Sequence, residues 1–563
     1  MSVRSIVIHG HFYQPPREDP WLNQVVAEPS AAPFHDWNQR IERECYRAVV
    51  AARLYAPPPD GRITGIVNTL TSISFDFGPT LLEWLEREAP DTYAAVLEAD
   101  RQSRLRHDGH GNAIAMPYHH TILPLASRRD KVTEVRWGIA DFRRRFNRDP
   151  TGLWLPETAV DPETLDVLAA EGIAFTILAP HQVARVPQGG RPGSYRTPGG
   201  RSIALFTYDG AISHDVAFGP LLKDAARWAE RLLAVGQGER GPQLVAVATD
   251  GETFGHHHRF GEVALAWLLR ELERQRGVRV ENFAAFLARH PPEQDVELVA
   301  PTSWSCPHGV ERWRADCGCR VAPERPTQQR WRAPLREGLE WLAAELHARF
   351  EREGAELLGD PWAARDAYGS VVGSDEASRG RIAAAPARAR ELLELERNAL
   401  RMFTSCGWFF DDIAGIEAVQ ILRYAARAIE LAGGDAPRLE AGLLERLARA
   451  ESNAPGAGSG REVYLERAKR RVPPPASASA AAAPPADLER ELLGAVRSLA
   501  RDQSPSAITA VLELADRLHG DHGDIPFDVQ TVFYRIRAAA PPERAGPLAP
   551  VARRLGFAEG GGG

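Results

Sequence analysis

Long apolar stretches are missing from this sequence of 563 residues. No run approaches the roughly 18 apolar residues that a membrane-spanning helix requires, so we expect no membrane partner. The N-terminal MSVRSIVIHGHF reaches two histidines after a short apolar stretch, which predicts a buried strand and not a signal peptide. No internal repeat is visible, so a repeat architecture is not expected.

An excess of positive charge is also lacking. The formal net charge is −7, and Lys and Arg are scattered through helical patterns without forming a stripe. A nucleic acid is therefore not expected as a partner, whereas a neutral substrate would fit.

Cysteine is scarce, with five residues in the chain, of which Cys45 and Cys406 are isolated. This number does not form the disulfide framework of a small secreted domain, so we expect a reducing, cytoplasmic location. The pattern gives no indication of oligomeric state.

The composition is that of a globular protein, with 44% hydrophobic and 25% charged residues. At this length more than one domain is expected. Composition and hydrophobic periodicity change along the chain and predict four regions. These are a catalytic β/α barrel at 1–305, a helical domain completing the active-site cleft at 306–470, a disordered Pro/Ala/Ser linker at 471–486, and a small C-terminal helical segment at 487–558.

Short apolar runs alternate with helical patterns over the first 300 residues, which is typical of parallel β/α folds. The helical pattern is clearest at Val132–Phe146. Strands are predicted near Val3–Ile8, Ile63–Val67, Leu153–Leu155, Phe175–Leu178, Ile203–Thr207, Leu244–Ala248 and Val296–Ala300, with a further candidate near Ala113–Met116.

Polar and aromatic residues follow directly where these strands end. The residues are His9 and His11, Asn68 and Thr69, Glu157, His181, Asp209, Asp250 and Trp304. In a β/α barrel the active site lies at the carboxyl ends of the strands, so this pattern predicts an enzyme site. An open, doubly wound sheet would place its ligands in the same way.

Two carboxylates stand out, Glu157 in GLWLPETAVD and Asp250 in VAVATDGETFGHHH. Retaining glycoside cleavage needs such a pair from different strand ends, roughly 5 to 5.5 Å apart. Each residue alone could be a simple helix or turn cap. Together, with Trp154 and Phe254 beside them as possible sugar platforms, they favour a catalytic site.

These segments resemble glycoside hydrolase family 57. The family's D-x-E-x-F-G-x-H pattern matches here at Asp250, Glu252, Phe254, Gly255 and His257. The opening HGHFYQPP is similar to the family's first motif, with His9, His11, Gln14 and Pro15 as the corresponding residues.

The resemblance implies an incomplete seven-stranded (β/α)7 TIM-like barrel followed by a helical domain. It also implies α-glucans as substrates, as for α-amylases, 4-α-glucanotransferases and branching enzymes. Glu157 would be the nucleophile and Asp250 the general acid/base of a double displacement that needs no cofactor. Whether water or a second sugar accepts the glycosyl group stays open.

The residues expected to contact the substrate are His9, His11, Gln14, His119, Trp154, Glu252, His257, Trp304 and Trp408. The sequence departs from the family's second motif, in which a carboxylate follows Gly-Asn. Here Ala113 follows Gly111 and Asn112. A candidate for the fifth motif lies at SCGWFFDDIAG, around Trp408, Asp411 and Asp412.

Two alternative functions remain open. The three histidines at 256–258 could bind zinc with Asp250 or His119, as in a metal-dependent polysaccharide deacetylase. Alternatively, the chain could be a non-catalytic carbohydrate-binding protein on a degenerate barrel.

A second group of potential metal ligands lies in SWSCPHGVERWRADCGCR. Cys306, His308, Cys317 and Cys319 have the donor number and softness of a structural Cys3His zinc site. Their C-x-H and C-x-C spacings are tighter than the usual two-residue gap. The alternatives are a thiol-rich loop near the substrate or a redox pair of Cys317 and Cys319.

Overall fold

The computed structural model describes residues 4–57, 59–236, 241–370, 386–469, 487–522, 525–541 and 546–558. The linker predicted at 471–486 lies outside the described residues.

The strands of the described chain are β1 (Arg4–Phe12), β2 (Glu18–Asp19), β3 (Gln24–Val25), β4 (Ala52–Tyr55), β5 (Ile63–Val67), β6 (Ser74–Phe77), β7 (Phe175–Leu178), β8 (Gly193–Arg196), β9 (Ser202–Thr207), β10 (Gln243–Asp250) and β11 (Val278–Val280). β1 is central and almost wholly buried. It pairs in parallel with β10 along its length, with β11 at its start and with β6 at its end.

Parallel neighbours continue from β6 through two short extended segments to β7 and β9. The links are single bridges, Phe75 to Ala113, Ala115 to Leu153, and Gly152 to Phe175. β7 then pairs in parallel with β9. The backbone N–H of Asp209, just after β9, donates to the Ala246 carbonyl of β10 at 2.7 Å. Seven extended segments thus follow one another in parallel, with their carboxyl ends on the same side.

Several of the expected strands differ from the observed ones, and two of them, Ala113–Met116 and Leu153–Leu155, form only the isolated bridges given above. Ile63–Val67 does form β5, but it pairs antiparallel with β4 and not with the parallel strands. The strand that pairs in parallel with the end of β1 is instead β6, a run of Ser-Phe-Asp-Phe that the apolar pattern does not reveal because a buried Asp76 interrupts it. The segment 296–300, with Val299 42% exposed, contributes an isolated bridge at Leu298 and no strand.

The α-helices of the described residues are Trp37–Ile41, Arg47–Val49, Pro79–Glu88, Pro90–Arg106, Arg128–Phe146, Pro162–Ala170, Gly210–Ala217, Ala225–Ala234, Gly261–Arg274, Phe283–Arg289, Arg332–Leu358, Pro361–Tyr368, Ala387–Arg401, Cys406–Phe409, Ile416–Leu431, Ala436–Leu447, Gly460–Val463, Asp487–Ser498, Pro505–His522, Phe527–Ala539 and Ala549–Arg554. No helix within these described ranges is both long and apolar enough to cross a bilayer.

The helix predicted at Val132–Phe146 is present and begins earlier. Ser127 accepts a hydrogen bond from the Asp130 N–H and so caps its start. The helix ends at Asn147, which has φ of 50°, a left-handed conformation that asparagine tolerates and that satisfies the Arg143 carbonyl.

Three of the apolar clusters lie in different parts of the chain. The first joins the parallel strands to the helices of the first 290 residues. The second is helical and joins Arg332–Leu358, Ala387–Arg401, Ile416–Leu431 and Ala436–Leu447. The third is built from residues 492–557 and includes one residue of β5, Ile63.

The contact between β5 and the C-terminal segment involves backbone as well as side chains. The Ile63 N–H donates to the Gly556 carbonyl at 3.0 Å, and the Ala558 N–H donates to the Ile63 carbonyl at 2.9 Å. Residues 556–558 therefore bond to the edge of the β4–β5 hairpin.

Candidate active site

The carboxyl ends of β1 and β10 bring the first candidate residues together. Side chains two residues apart on a strand share a face, so His9 and His11 lie on the same side of β1. His11 is directly opposite Asp250 in the parallel register. Adjacent strands lie about 4.8 Å apart, which places the imidazole and the carboxyl group in one site.

Asp76 at the end of β6 connects the two histidines. One carboxylate oxygen lies 3.0 Å from Nε2 of His9 and the other lies 2.8 Å from Nδ1 of His11. Burial alone would raise the pKa of Asp76, yet the two histidines lower it. Asp76 is fully buried, so it positions the imidazoles and does not face solvent.

The electrostatics of His9 and His11 differ although both are buried. Burial lowers the pKa of His9. Burial also acts to lower the pKa of His11, but Asp76, Asp250 and Glu252 outweigh it and raise the pKa to about 9. His11 is therefore an imidazolium at neutral pH, facing Asp250.

Asp250 ends β10 and keeps some solvent exposure. Desolvation by the surrounding protein raises the pKa of its carboxyl group to about 7, opposed by the charge of His11 and assisted by Glu252 and Glu157. A carboxyl group with a pKa near neutrality can both donate and accept a proton at working pH.

Glu252 lies behind Asp250, in the turn that follows it. Its Oε1 accepts hydrogen bonds from the Tyr13 N–H at 3.1 Å and from the Tyr46 hydroxyl. Burial raises the pKa of Glu252. These two hydrogen bonds fix the start of the segment after β1.

Glu157 lies in a tight turn, Pro156–Thr158, at the end of the segment that contains Trp154. Both Glu157 and Thr158 have positive φ, 57° and 48°. Such conformations cost non-glycine residues of the order of 1 to 3 kcal/mol each and persist where the surroundings hold them. Here the Trp304 N–H donates to the Glu157 carbonyl at 3.0 Å.

The Glu157 carboxylate is held through one oxygen. Oε2 accepts from the Trp304 indole N–H at 3.1 Å and from the Ser305 hydroxyl at 2.6 Å. Oε1 accepts no hydrogen bond from the described residues. The carboxylate is thus fixed in orientation with its other oxygen available to an electrophile.

Two tryptophans lie between the histidines and Glu157. Trp154 is fully buried and stacks on His9 and His11, with ring centroids 4.8 and 5.3 Å apart. Trp304 contacts Trp154 edge to face at 5.1 Å and lies 6.5 Å from the ring of Tyr208. Trp304 is partly exposed, so it forms the accessible aromatic surface of the site.

Adjacent His119 and His120 point in different directions. His119 is fully buried, with Nδ1 2.8 Å from Glu134, outside the cluster around His11. His120 instead lies with Nε2 3.1 Å from Nε2 of His11 and its ring 3.7 Å from that of Tyr13. His120 is therefore the histidine of this pair that borders the site.

The histidines at 256–258 do not converge on one point. His256 pairs with Glu44, and His258 contacts the Ala217 carbonyl at 2.8 Å. His257 is exposed. Among the residues that the structure describes, no group of potential metal ligands contains any of these three or Asp250.

The other candidates have packing or positioning contacts. Gln14 accepts a hydrogen bond from Arg17 at 3.2 Å. Trp408 is fully buried in the helical core, where its indole N–H donates to the Arg332 carbonyl. Asp411 accepts hydrogen bonds from the backbone of Val321 and Ala322, so it closes a loop.

Gly255 of the D-x-E-x-F-G-x-H pattern is explained by close packing. Its φ is 153°, and an added Cβ would lie 2.3 Å from the carbonyl oxygen of Glu44. Only glycine fits at this point.

A second cluster lies next to the site. The ligand atoms of Cys306, His308, Cys317 and Cys319 all lie within 4.8 Å of one another. Cys306 directly follows Ser305, which holds Glu157.

Sequence reasoning missed three residues of the site: Asp76, Ser305 and Tyr208. The signal for Asp76 is an acid flanked by two aromatics, since a buried carboxylate in a strand is rare unless it is paired. Ser305 is adjacent to Trp304 but carries no signal of its own. Tyr208 follows β9, and burial together with the nearby Asp250 raises its pKa.

Comparisons with known proteins identify the family of the chain. The model of the family described as glycosyl hydrolase family 57 matches residues 12–298, just over half of the 563 residues. A domain of unknown function, DUF3536, matches residues 328–484.

Individual relatives are distant. A 4-alpha-glucanotransferase of Thermococcus litoralis is 25% identical over 187 residues, covering 32% of this chain and 26% of that protein. The matched part thus spans about a quarter of that relative. A solved exo-type maltose-forming amylase from Pyrococcus sp. ST04 has a TM-score of 0.59 at 15% identity, over 98% of this chain and 95% of its own.

A solved GH57-type branching enzyme from Pyrococcus horikoshii has a TM-score of 0.49 at 16% identity, covering 83% of this chain and 94% of its own. At 15% identity, the likeness to the amylase concerns the fold. The family model itself extends over the segments that contain Asp76, Glu157 and Asp250. The chain therefore belongs to glycosyl hydrolase family 57.

Proposed function

We propose that this chain is a retaining glycoside hydrolase or transglycosylase that cleaves α-glycosidic bonds in α-glucan-type poly- or oligosaccharides. The observation that carries the proposal is the contrast between two neighbouring carboxyl groups. Asp250 has a pKa of about 7, whereas Glu157 is held through Oε2 with Oε1 free. Double displacement needs one carboxyl group to hold a proton while the other attacks.

In the first step, protonated Asp250 donates to the glycosidic oxygen while Oε1 of Glu157 attacks the anomeric carbon. The bond from that carbon to the leaving oxygen breaks and a covalent glycosyl ester with Glu157 forms. In the second step, ionised Asp250 takes a proton from water or a sugar hydroxyl, which attacks the same carbon and releases Glu157. The steps use no cofactor.

The surroundings favour sugar rings in this position. Trp304 and Tyr208 offer partly exposed aromatic faces. We propose His11 and Trp304 as substrate contacts, and His120 in the place expected for His119. His9 is bonded to Asp76, Trp154 stacks on His9 and His11, and Glu252 is bonded to Tyr13 and Tyr46, so these three support the contacting residues from behind.

We further propose that the seven parallel segments form an incomplete (β/α)7 barrel, and that the following helical domain completes the cleft. The parallel path from β10 through β1 and β6 to β9 supports the barrel. A contact between the two regions supports the role of the helical domain. Oγ of Ser405, in the helical domain, lies 2.6 Å from Nδ1 of His120 beside the site.

A cytoplasmic location is part of the same proposal. The five cysteines form no disulfide in the structure, which suits a reducing compartment.

The metal-dependent deacetylase alternative is not favoured, because the histidines at 256–258 diverge. A non-catalytic carbohydrate-binding protein would bind the same sugars without turnover, which makes it an outcome of the following experiment.

Incubation with maltoheptaose is expected to give products whose new reducing ends are α-anomers, since two displacements restore the configuration. Proton NMR taken before mutarotation reads the anomer, and chromatography reads the chain lengths. Products longer than the substrate identify transfer, and shortening alone identifies hydrolysis. First-formed β-anomers would exclude this mechanism, and binding without any product would identify a carbohydrate-binding protein.

The pH dependence follows from the pKa of Asp250. The first step needs Asp250 protonated, so kcat/KM is expected to fall as pH rises through about 7. His11→Gln removes a positive charge that lowers the pKa of Asp250, so the alkaline limb should move to higher pH while kcat/KM decreases. A pH profile of kcat/KM on maltoheptaose measures both effects.

The matched control is His290→Gln, which changes a histidine at the end of helix Phe283–Arg289. Its profile is expected to overlay that of the unmodified protein. A shift of the alkaline limb to lower pH in His11→Gln would contradict the assigned electrostatics.

A further inference from the structure

The cluster of Cys306, His308, Cys317 and Cys319 has the dimensions of a tetrahedral metal site. Sγ of Cys306 lies 3.9 Å from that of Cys317 and 3.8 Å from that of Cys319. Sγ of Cys319 lies 3.6 Å from Nδ1 of His308. Zinc–sulfur and zinc–nitrogen bonds of about 2.3 and 2.05 Å at tetrahedral angles predict separations of about 3.8 and 3.6 Å.

The close spacing in sequence is accommodated by the backbone. Gly318 lies between two of the ligands and has φ of 79°, a left-handed conformation that glycine adopts without strain. With this backbone, the ligand atoms of Cys317 and Cys319 lie within 4.8 Å of each other although only one residue separates them. The short C-x-C spacing is thus compatible with a site for one ion.

A disulfide accounts less well for the same atoms. It would join two sulfurs at about 2.05 Å and leave the third thiol and the imidazole without a role. Here three thiols and an imidazole converge at nearly equal separations. Cys306 is buried while His308 is exposed, so an ion could enter from the solvent side.

The charges around the cluster also suit a bound divalent cation. Together with three thiolates and a neutral imidazole, such an ion forms a site with a net charge of −1. The buried Arg332 donates to the Cys319 carbonyl at 2.9 Å. The buried Arg312 donates to the Ser305 carbonyl at 3.2 Å. Two guanidinium groups therefore lie beside the site and offset its negative charge.

The cluster is continuous with the residues that hold Glu157. Ser305 precedes Cys306 in the chain, and Ser305 and Trp304 supply both hydrogen bonds to Oε2 of Glu157. The same segment is closed on itself, since the Ser303 hydroxyl donates to the Gly309 carbonyl at 2.6 Å. Because Trp304 and Ser305 directly precede Cys306, a ligand that holds Cys306 in place also restricts the positions of Trp304 and Ser305.

We propose that Cys306, His308, Cys317 and Cys319 bind one zinc ion, and that this ion holds Trp304 and Ser305 in place to orient Glu157. The four ligands are positioning residues, because they act on the reaction through Glu157 and do not touch the substrate. The zinc assignment rests on the cluster itself, and only the positioning role rests on the proposed function.

Zinc content is measured first, by elemental analysis of the full chain purified without an affinity tag after dialysis. One zinc per chain is expected, falling to less than a tenth in Cys317→Ser/Cys319→Ser. The matched control is Cys45→Ala, a buried cysteine outside the cluster, which should keep the full amount. Replacement by cobalt is expected to give thiolate-to-metal charge-transfer absorption, which requires thiolate ligands.

Absence of zinc and of cobalt binding, or a disulfide between these cysteines by mass spectrometry, would overturn the zinc assignment whatever the activity. Zinc bound at one per chain in a protein without glycosidase activity would refute the proposed function and leave the zinc site standing.

The positioning role is tested by kinetics in two backgrounds. Cys319→Ser is expected to lower kcat on maltoheptaose about 10- to 100-fold with KM little changed, the usual scale for supporting residues around a metal. In Glu157→Ala with azide as the nucleophile and an α-maltosyl fluoride as substrate, adding Cys319→Ser should change the rate less than twofold, since no carboxylate is left to orient.

Ser305→Ala probes the same contact without touching the cluster and should lower kcat while zinc content stays at one per chain. Equal losses from Cys319→Ser in both backgrounds would show a general structural effect and overturn the positioning role. An unchanged kcat in zinc-free protein would overturn it as well.

Discussion

Replacing Glu157 with glutamine is expected to lower kcat/KM on α-glucans by about 10⁴-fold or more, equivalent to about 5.4 kcal/mol of transition-state stabilisation. The amide fills the same space and can still accept a hydrogen bond from Trp304 or Ser305, but it cannot form the glycosyl ester. Initial rates on maltoheptaose measure the loss.

The matched control is Glu163→Gln, which alters a partly exposed carboxylate on the helix that follows. It should keep full activity, and both variants should melt within a few degrees of the unmodified protein. Full turnover by Glu157→Gln would remove this residue from the mechanism.

The stereochemistry of azide products identifies the nucleophile directly. With Glu157→Ala and an α-maltosyl fluoride, azide attacks the anomeric carbon from the vacated face as fluoride leaves. The product is then a β-maltosyl azide. An α-azide from this variant would mean that a different group attacks the sugar.

Replacing Asp250 with asparagine is expected to lower kcat/KM on maltoheptaose by about 10²- to 10⁴-fold, the usual contribution of a general acid or base. The loss should be much smaller in the first step with an α-maltosyl fluoride, because fluoride leaves without a proton. The covalent intermediate on Glu157 should then accumulate, visible as an added maltosyl mass in intact-protein spectrometry.

Azide is expected to release that intermediate as an α-maltosyl azide, since it attacks the ester from the other face. Asp149→Asn, at a side chain that is 77% exposed, is the matched control and should behave as the unmodified protein. Equal losses on the fluoride and on maltoheptaose would show that Asp250 does not act as the acid.

Several candidate residues predicted from the strand-end pattern lie close together in the structure. Glu157 and Asp250 follow apolar runs, and alternation along β1 predicts His9 and His11 on one face, where Asp76 contacts both. The fold class followed from the same alternation of apolar runs and helices. These features depend on local periodicity, which a sequence displays directly.

The features that sequence could not provide depend on contacts between distant segments. Asp76 interrupts an apolar run, so its strand β6 was not predicted, and β5 was assigned instead. His119 and His120 are adjacent and chemically identical in sequence. Only the left-handed backbone at His120, with φ of 57°, turns it toward His11 while its neighbour faces Glu134.

The segment after Trp304 is a second region whose contacts could not be predicted from local sequence. Its cysteine spacing argued against a metal site, because a spacing rule assumes an ordinary turn. Gly318 has a left-handed backbone, with φ of 79°, that the rule does not consider. The link from Cys306 through Ser305 to Glu157 crosses almost 150 residues of chain, so no local pattern could reveal it.

The hydrogen bonds from residues 556–558 to Ile63 have a consequence for association between molecules. A two-stranded hairpin outside the main sheet offers a row of unpaired backbone groups to any other extended chain. Here the backbone groups of Ile63 are bonded to Gly556 and Ala558, and Phe557 packs into the adjacent apolar core. The C-terminal helices thus protect an edge strand against aggregation, a role independent of the chemistry at Glu157 and Asp250.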